Sequence, residues 1–181
     1  MSNIYFTGYR ATGKTRHGKT IASRLNRPFI DTDVLIEEKC GKAIKDIVAN
    51  EGWRGFRIHE MEIVKEVSNK DNQVIGLGGG AICHEFMDIR EENRRIVREN
   101  GKVILLKAAP EVILSRLQGD TKTATQRPDL TNKGPFEEIL AKLKERGPLY
   151  DSIADFIIDT SDSNEERIDE EIMEFLNKLN Q

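Results

Sequence analysis

Ile4-Tyr5-Phe6-Thr7 runs directly into Gly8-Tyr9-Arg10-Ala11-Thr12-Gly13-Lys14-Thr15, and this join decides the fold. An apolar β-type run, a glycine-punctuated turn of the form G-x-x-x-x-G-K-(S/T) and a helical segment, in that order, make a phosphate-binding loop. Successive main-chain N–H groups of such a turn curl around an anion. The following helix aims the positive end of its dipole at the same point. Lys14 is placed to reach β- and γ-phosphates, and the Thr15 hydroxyl to ligate Mg²⁺. The same pattern recurs over residues 13–20, Gly-Lys-Thr-Arg-His-Gly-Lys-Thr. No strand precedes that second copy, and Lys19 and Thr20 fall inside the helix the first copy begins, so it is a coincidence of composition.

Outward from the loop, short apolar runs alternate with helical patterns, as in a parallel α/β sheet. Strands are predicted over 4–7, 28–31, 73–77, 103–107 and 155–158. Helices are predicted over 14–25, 33–40, 43–50, 54–68, 91–99 and 110–118. Phe136, Ile139, Leu140 and Leu143 recur at i, i+3, i+4 and i+7, and Ile168, Ile172, Leu176 and Leu179 form a second stripe for a closing helix; both are read as core.

The chain of 181 residues is read as one domain with no internal repeat or long linker. With 28 Lys and Arg against 31 Asp and Glu, the net charge of −3 gives no overall positive field for nucleic acid or an anionic membrane. No apolar run approaches the roughly 18 residues of a membrane span, and no signal-peptide core precedes the first strand. Cys40 and Cys83 lack metal-ligand spacing and read as reduced thiols of a cytoplasmic protein. His17, His59 and His84 read as ordinary helix or loop residues, and Trp53 as packing. A monomer is the default assembly.

Two stretches break the rhythm. Residues 119–134 (GDTKTATQRPDLTNKG) are polar and bounded by glycines, with Arg127-Pro128 in the middle, the composition of a lid. Gly78-Gly79-Gly80 follows the third strand, either as a tight turn or because something approaches the main chain closely. Asp31-Thr32-Asp33 ends the second strand. The two-residue repeat of an extended chain puts both carboxylates on one side, about 6–7 Å apart, at the sheet edge where ligands bind. Asp33 is also well placed to cap a helix beginning at Val34. Arg57, with Glu60 one turn later to orient it, and Arg116, Arg127 and Arg146 supply planar forks of the kind that grip carboxylate or phosphate.

Taken in order, these landmarks resemble the shikimate kinase family nearly end to end. The matching segments are the Gly8–Thr15 loop, Phe29-Ile30-Asp31-Thr32-Asp33, Gly52 with Phe56-Arg57-Ile58-His59-Glu60, Leu77-Gly78-Gly79-Gly80-Ala81, Arg127-Pro128, Arg146-Gly147-Pro148-Leu149-Tyr150 and Ala154-Asp155. The resemblance implies a P-loop NTPase-type three-layer sandwich: a five-stranded parallel sheet of order 2-3-1-4-5 flanked by helices, with a mobile lid. It implies transfer of the γ-phosphoryl group of ATP, with Mg²⁺, to the 3-hydroxyl of shikimate on the route to chorismate. By the same likeness the acceptor-binding region spans about residues 33–60. Asp33 contacts acceptor hydroxyls and is the favoured catalytic residue, with Lys14 and Arg127. Arg57 and Arg146 bind the carboxylate, and Gly79 and Gly80 line the pocket. Arg10, Ala11, Thr12, Gly13, Lys14, Thr15, Arg116 and Arg127 serve ATP, and Thr15 and Asp31 the metal.

The family loop usually carries glycine where this chain has Ala11, which weakens nucleotide binding if that residue needs a positive φ. Tyr9 and Arg10 give the loop a bulkier, more basic lip than is common. Two other readings share the loop and sheet: a kinase for another small molecule such as gluconate or a nucleotide, and a nucleotide-binding regulatory module.

Overall fold

The structure, a computed structural model, describes residues 2–119, 134–162 and 164–179. Apart from its end residues Gly119 and Gly134, the expected lid lies outside the described residues, and Arg127 with it. The elements run β1 (Asn3–Thr7), α1 (Lys14–Leu25), β2 (Phe29–Asp31), α2 (Thr32–Cys40), α3 (Ile44–Ser68), β3 (Val74–Gly76), α4 (Met87–Asn100), β4 (Gly101–Lys107), α5 (Pro110–Gly119), α6 (Pro135–Asp151), β5 (Phe156–Asp159) and α7 (Glu165–Lys178).

The strands form one parallel sheet in the order β2-β3-β1-β4-β5, the order the family resemblance implied. β1 sits in the middle, and its side chains alternate between two cores as the period of a strand demands. Tyr5 joins Ile75, Val103 and Leu105 beneath α2, α3 and α4. Ile4 and Phe6 join Val74, Ile104 and Leu106 beneath α1 and α7, where Ile21, Ile168 and Ile172 close the layer. Each fully buried side chain of this kind contributes about 1.5–3 kcal/mol.

α3 contains the two helices predicted over 43–50 and 54–68, joined through a kink at Gly52, whose φ of 71° and ψ of 175° are not helical. Two predicted core positions prove exposed. Leu140, on α6, is 44% exposed, whereas Ile139 and Leu143 of the same helix pack with Tyr9 and Ile113. Leu179, 46% exposed, lies one residue past the end of α7. Among the described residues no helix is long and apolar enough to cross a membrane. Because all five strands run the same way, the loop after β1, the acids after β2 and the glycines after β3 emerge on one edge of the sheet.

Candidate active site

The loop between β1 and α1 is shaped by its main chain. Gly8 and Gly13 take φ of 136° and 95°, and a Cβ on Gly8 would lie 2.2 Å from the Leu106 carbonyl oxygen. Gly13 caps α1 without a side-chain hydrogen bond, so the first N–H groups of that helix turn toward the loop. Lys14 Nζ donates to the carbonyls of Gly8 and Tyr9, both at 2.9 Å. The Thr12 hydroxyl donates to Tyr9 O at 2.8 Å. The Thr160 hydroxyl, just past β5, lies 3.0 Å from the carbonyl oxygens of both Thr12 and Lys107. Arg116 on α5 donates to Ala11 O at 3.3 Å and also to the Thr160 carbonyl. Ala11 does need a positive φ, 60°, a region that costs a residue with a Cβ about 1–2 kcal/mol.

The acids beyond β2 differ from the sequence expectation in one respect. The strand ends at Asp31, and it is Asp31 that caps α2, accepting from Asp33 N at 3.1 Å. Asp33 therefore lies in the first helical turn instead of on an extended segment, and does not cap. Both carboxylates still face the loop. Asp31 accepts from the Thr15 hydroxyl at 2.9 Å, and Asp31 and Asp33 line, with Gly13, Lys14 and Thr15, a cavity of about 250 Å³. Thr32, buried between the two acids, holds the edge together. Its hydroxyl donates to Gly76 O at 3.2 Å and accepts from Gly78 N at 3.0 Å.

Gly78-Gly79-Gly80 is where the pieces meet. None of the three adopts a left-handed φ, so a turn requirement does not explain them; close approach does. A Cβ on Gly78 would lie 2.5 Å from Asp33 Oδ1 and 2.6 Å from Glu60 Oε1. A Cβ on Gly79 would meet Arg10 N of the phosphate loop at 3.4 Å, and one on Gly80 would meet Arg57 Nη2 at 2.2 Å.

Arg57, only 5% exposed, donates to Glu60 Oε2 at 2.7 Å and sits with its guanidinium carbon 4.9 Å from the Phe56 ring centroid and 5.5 Å from that of Trp53. Glu60 is wholly buried, and burial pushes its carboxyl above the usual carboxylate range. Arg57 opposes that shift and Asp33 adds to it. On the far side of the glycines, Arg146 donates to Gly79 O at 3.3 Å, and Tyr150 donates to the same carbonyl.

The structure thus brings together Lys14, Thr15, Asp31, Asp33, Arg57, Gly79, Gly80 and Arg146, with Arg116 bonded to the loop at Ala11 O. Arg10, expected at the nucleotide, lines the cavity while pairing with Glu138 of α6. Sequence reasoning assigned no role to Glu138, Thr160 or Tyr150, and took His17 as an ordinary helix residue. His17 is instead buried against Asp169 of α7, Nδ1 to Oδ1 at 2.8 Å. Their partners lie far along the chain, and no local spacing announces them. Lys19 is exposed on α1, in keeping with the dismissal of the second loop motif.

A sequence profile described as shikimate kinase matches residues 10–177. The chain belongs to the shikimate kinase family. A shikimate kinase of Rhodopirellula baltica is 42% identical over 171 residues, covering 94% of this chain and 88% of the relative. The crystallised shikimate kinase of Acinetobacter baumannii, in complex with shikimate, superposes with a TM-score of 0.87 at 31% identity, over 98% of this chain and 94% of that one. A gluconokinase of Sinorhizobium meliloti, at 16% identity and a TM-score of 0.63 over 98% of this chain and 93% of that one, shares the fold alone. Membership of the shikimate kinase family makes this chain an ATP-dependent small-molecule kinase.

Proposed function

We propose that this protein transfers the γ-phosphoryl group of ATP to the 3-hydroxyl of shikimate, giving shikimate 3-phosphate and ADP. One observation carries the reading: the triglycine packs against Asp33, the phosphate-loop main chain and Arg57 at once. A hydroxyl-binding acid, a phosphate cradle and a carboxylate fork then share one crevice.

Phosphoryl transfer asks the protein mainly to position two reactants and to neutralise developing charge. Lys14 and the main-chain N–H groups of residues 10–15 hold the β- and γ-phosphates, with Arg116 on the nucleotide side of the loop. Arg127 closes over ATP with the lid of residues 119–134, excluding water. Arg57 and Arg146 hold the acceptor carboxylate against the wall formed by Gly79 and Gly80. Asp33 accepts a hydrogen bond from the acceptor hydroxyl and aligns it with the γ-phosphorus.

The Thr15 hydroxyl and the Asp31 carboxylate, 2.9 Å apart and facing the cavity, suit Mg²⁺, an ion bound through one or two protein oxygens plus water and phosphate. When bound, the ion neutralises charge shared between the β- and γ-phosphates. Residues 1–181 work as one domain and one monomer in the cytoplasm, with no nucleic-acid or membrane partner.

Coupled ADP release with a panel of acceptors tests the reading. Shikimate alone is expected to support turnover. Turnover with gluconate or a nucleoside monophosphate would reassign the acceptor, and ATP binding without any turnover would make the chain a binding module. Asp33→Asn is expected to lower kcat by at least about 10²-fold with an unchanged circular dichroism spectrum; an unchanged kcat removes Asp33 from the mechanism.

A further inference from the structure

His17 stands in the first turn of α1, directly behind the phosphate loop. A Cβ on Gly13, the residue that caps α1 with a φ of 95°, would lie 2.9 Å from His17 Cδ2 and 3.2 Å from Nε2. Its chain neighbours apart, no other atom of the described residues would come within 4 Å of it. One edge of the imidazole therefore fills the space that a side chain at 13 would take. The opposite edge is anchored from α7, where Asp169 Oδ1 lies 2.8 Å from Nδ1. A carboxylate oxygen accepts, so Nδ1 donates.

Packing of the two helices does not call for this pair. Ile21 of α1 and Ile168 and Ile172 of α7 already meet in one apolar cluster. His17 and Asp169 are buried polar side chains, and an apolar pair would avoid the cost of their desolvation. What a hydrogen-bonded ring adds is a fixed plane. The last torsion of a histidine has broad minima, and the bond to Asp169 selects one setting. Gly13 is where a fixed neighbour counts. Without a Cβ it has a wide choice of backbone angles, and it lines the cavity beside Lys14 and Thr15.

We propose that His17, oriented by Asp169, is a positioning residue for the nucleotide. The ring holds Gly13, and with it the N–H groups that open α1, in the conformation that receives the phosphates. This rests on the reading of the loop as the seat of the ATP phosphates. Asp169 lies 152 residues beyond His17, so the closing helix of the fold sets how tightly nucleotide is held.

Titration calorimetry of ADP with Mg²⁺ into the full chain tests it, a measurement that needs no acceptor and stands apart from the choice of shikimate. His17→Ala combined with Asp169→Leu removes the ring, strands no buried charge and roughly conserves the volume between the helices. This double variant is expected to keep a native circular dichroism spectrum and to bind ADP about tenfold more weakly. Its KM for shikimate is expected to be unchanged. Asp169→Asn, whose amide oxygen still accepts from Nδ1–H, is expected to stay within about threefold of the wild type.

A wild type that binds no ADP overturns the reading of the loop, and the proposal with it. Wild-type binding with an unaltered affinity in the double variant overturns the role of His17 alone. So does an equal loss of affinity for shikimate and ADP, which marks a general loosening of the fold. Should the double variant fail to fold, Asp169→Ala decides: with the ring unanchored and the spectrum native, an unchanged affinity for ADP also overturns the proposal.

Discussion

The two walls of the crevice are built on opposite plans. The phosphate loop is main chain: its carbonyls are taken up by Lys14, Thr12, Thr160 and Arg116, and its shape comes from backbone angles at Gly8, Ala11 and Gly13. The triglycine wall is side chains, drawn from α2, α3, α6 and the turn before α4, and it keeps buried polar atoms without partners among the described residues at Glu60 Oε1, His84 Nε2 and Arg146 Nε. The loop's own Tyr9 hydroxyl and Arg10 Nε also lack partners among the described residues, on side chains that pack toward α6. A backbone cradle can hold any polyphosphate, so it carries affinity and little choice. A wall of charges and unmet donors is selective, because a wrong occupant leaves those groups unpaired.

The sharpest way to break this contrast is to remove the two arginines proposed to hold the acceptor, Arg57 and Arg146, separately. Arg57→Ala leaves Glu60 buried without its cation and is expected to cost about 3–5 kcal/mol of stability. Arg146 makes no ion pair among the described residues and only helps Arg57 to offset Glu60, so Arg146→Ala is expected to cost less stability than Arg57→Ala while raising the KM for shikimate. Urea unfolding of both variants decides: equal losses would mean that Arg146 is also a structural charge.

A smaller effect concerns acid. Burial holds the native His84 ring neutral to about pH 3, whereas the unfolded ring titrates near its usual 6.5. Between those values the unfolded chain binds a proton that the native chain refuses. The stability this residue contributes is therefore full above pH 6.5 and lost as pH falls. Melting curves from pH 7 to 5 are expected to show a steeper decline for the wild type than for His84→Asn. His17 and His59 are common to both proteins, so parallel curves would show that the ring is not shielded.

The smallest change is in the loop. Ala11→Gly relieves the left-handed angle and is expected to raise stability by about 0.5–1 kcal/mol with an unchanged or lower KM for ATP. A loss of stability would mean that the alanine methyl packs better than its backbone suffers.

Legibility in the sequence follows the same division. The loop, its strand and its helix were readable because the motif is contiguous and the apolar run before it is unbroken. The strand order came from the likeness to a family; apolar periodicity names strands without ordering them. Asp33 was expected on extended chain because Asp31-Thr32-Asp33 reads as the end of the second strand, with Asp33 the cap of a helix from Val34. The helix instead begins at Thr32 and Asp31 caps it, with Thr32 held between Gly76 and Gly78. The glycines were legible as a place of close approach, though not as one approached by the protein's own Asp33, Glu60 and Arg57. The pairs Arg10 with Glu138, Thr12 with Thr160 and His17 with Asp169 span 128, 148 and 152 residues, separations at which local pattern carries no signal.

The bond from Thr160 to the carbonyl of Thr12 has a consequence for biosynthesis. One of the hydroxyls that fix the phosphate-binding segment is translated 148 positions after the residue it holds. On the ribosome the sheet can begin assembling from its amino-terminal strands, while the grip on nucleotide waits for the last strand to clear the exit tunnel.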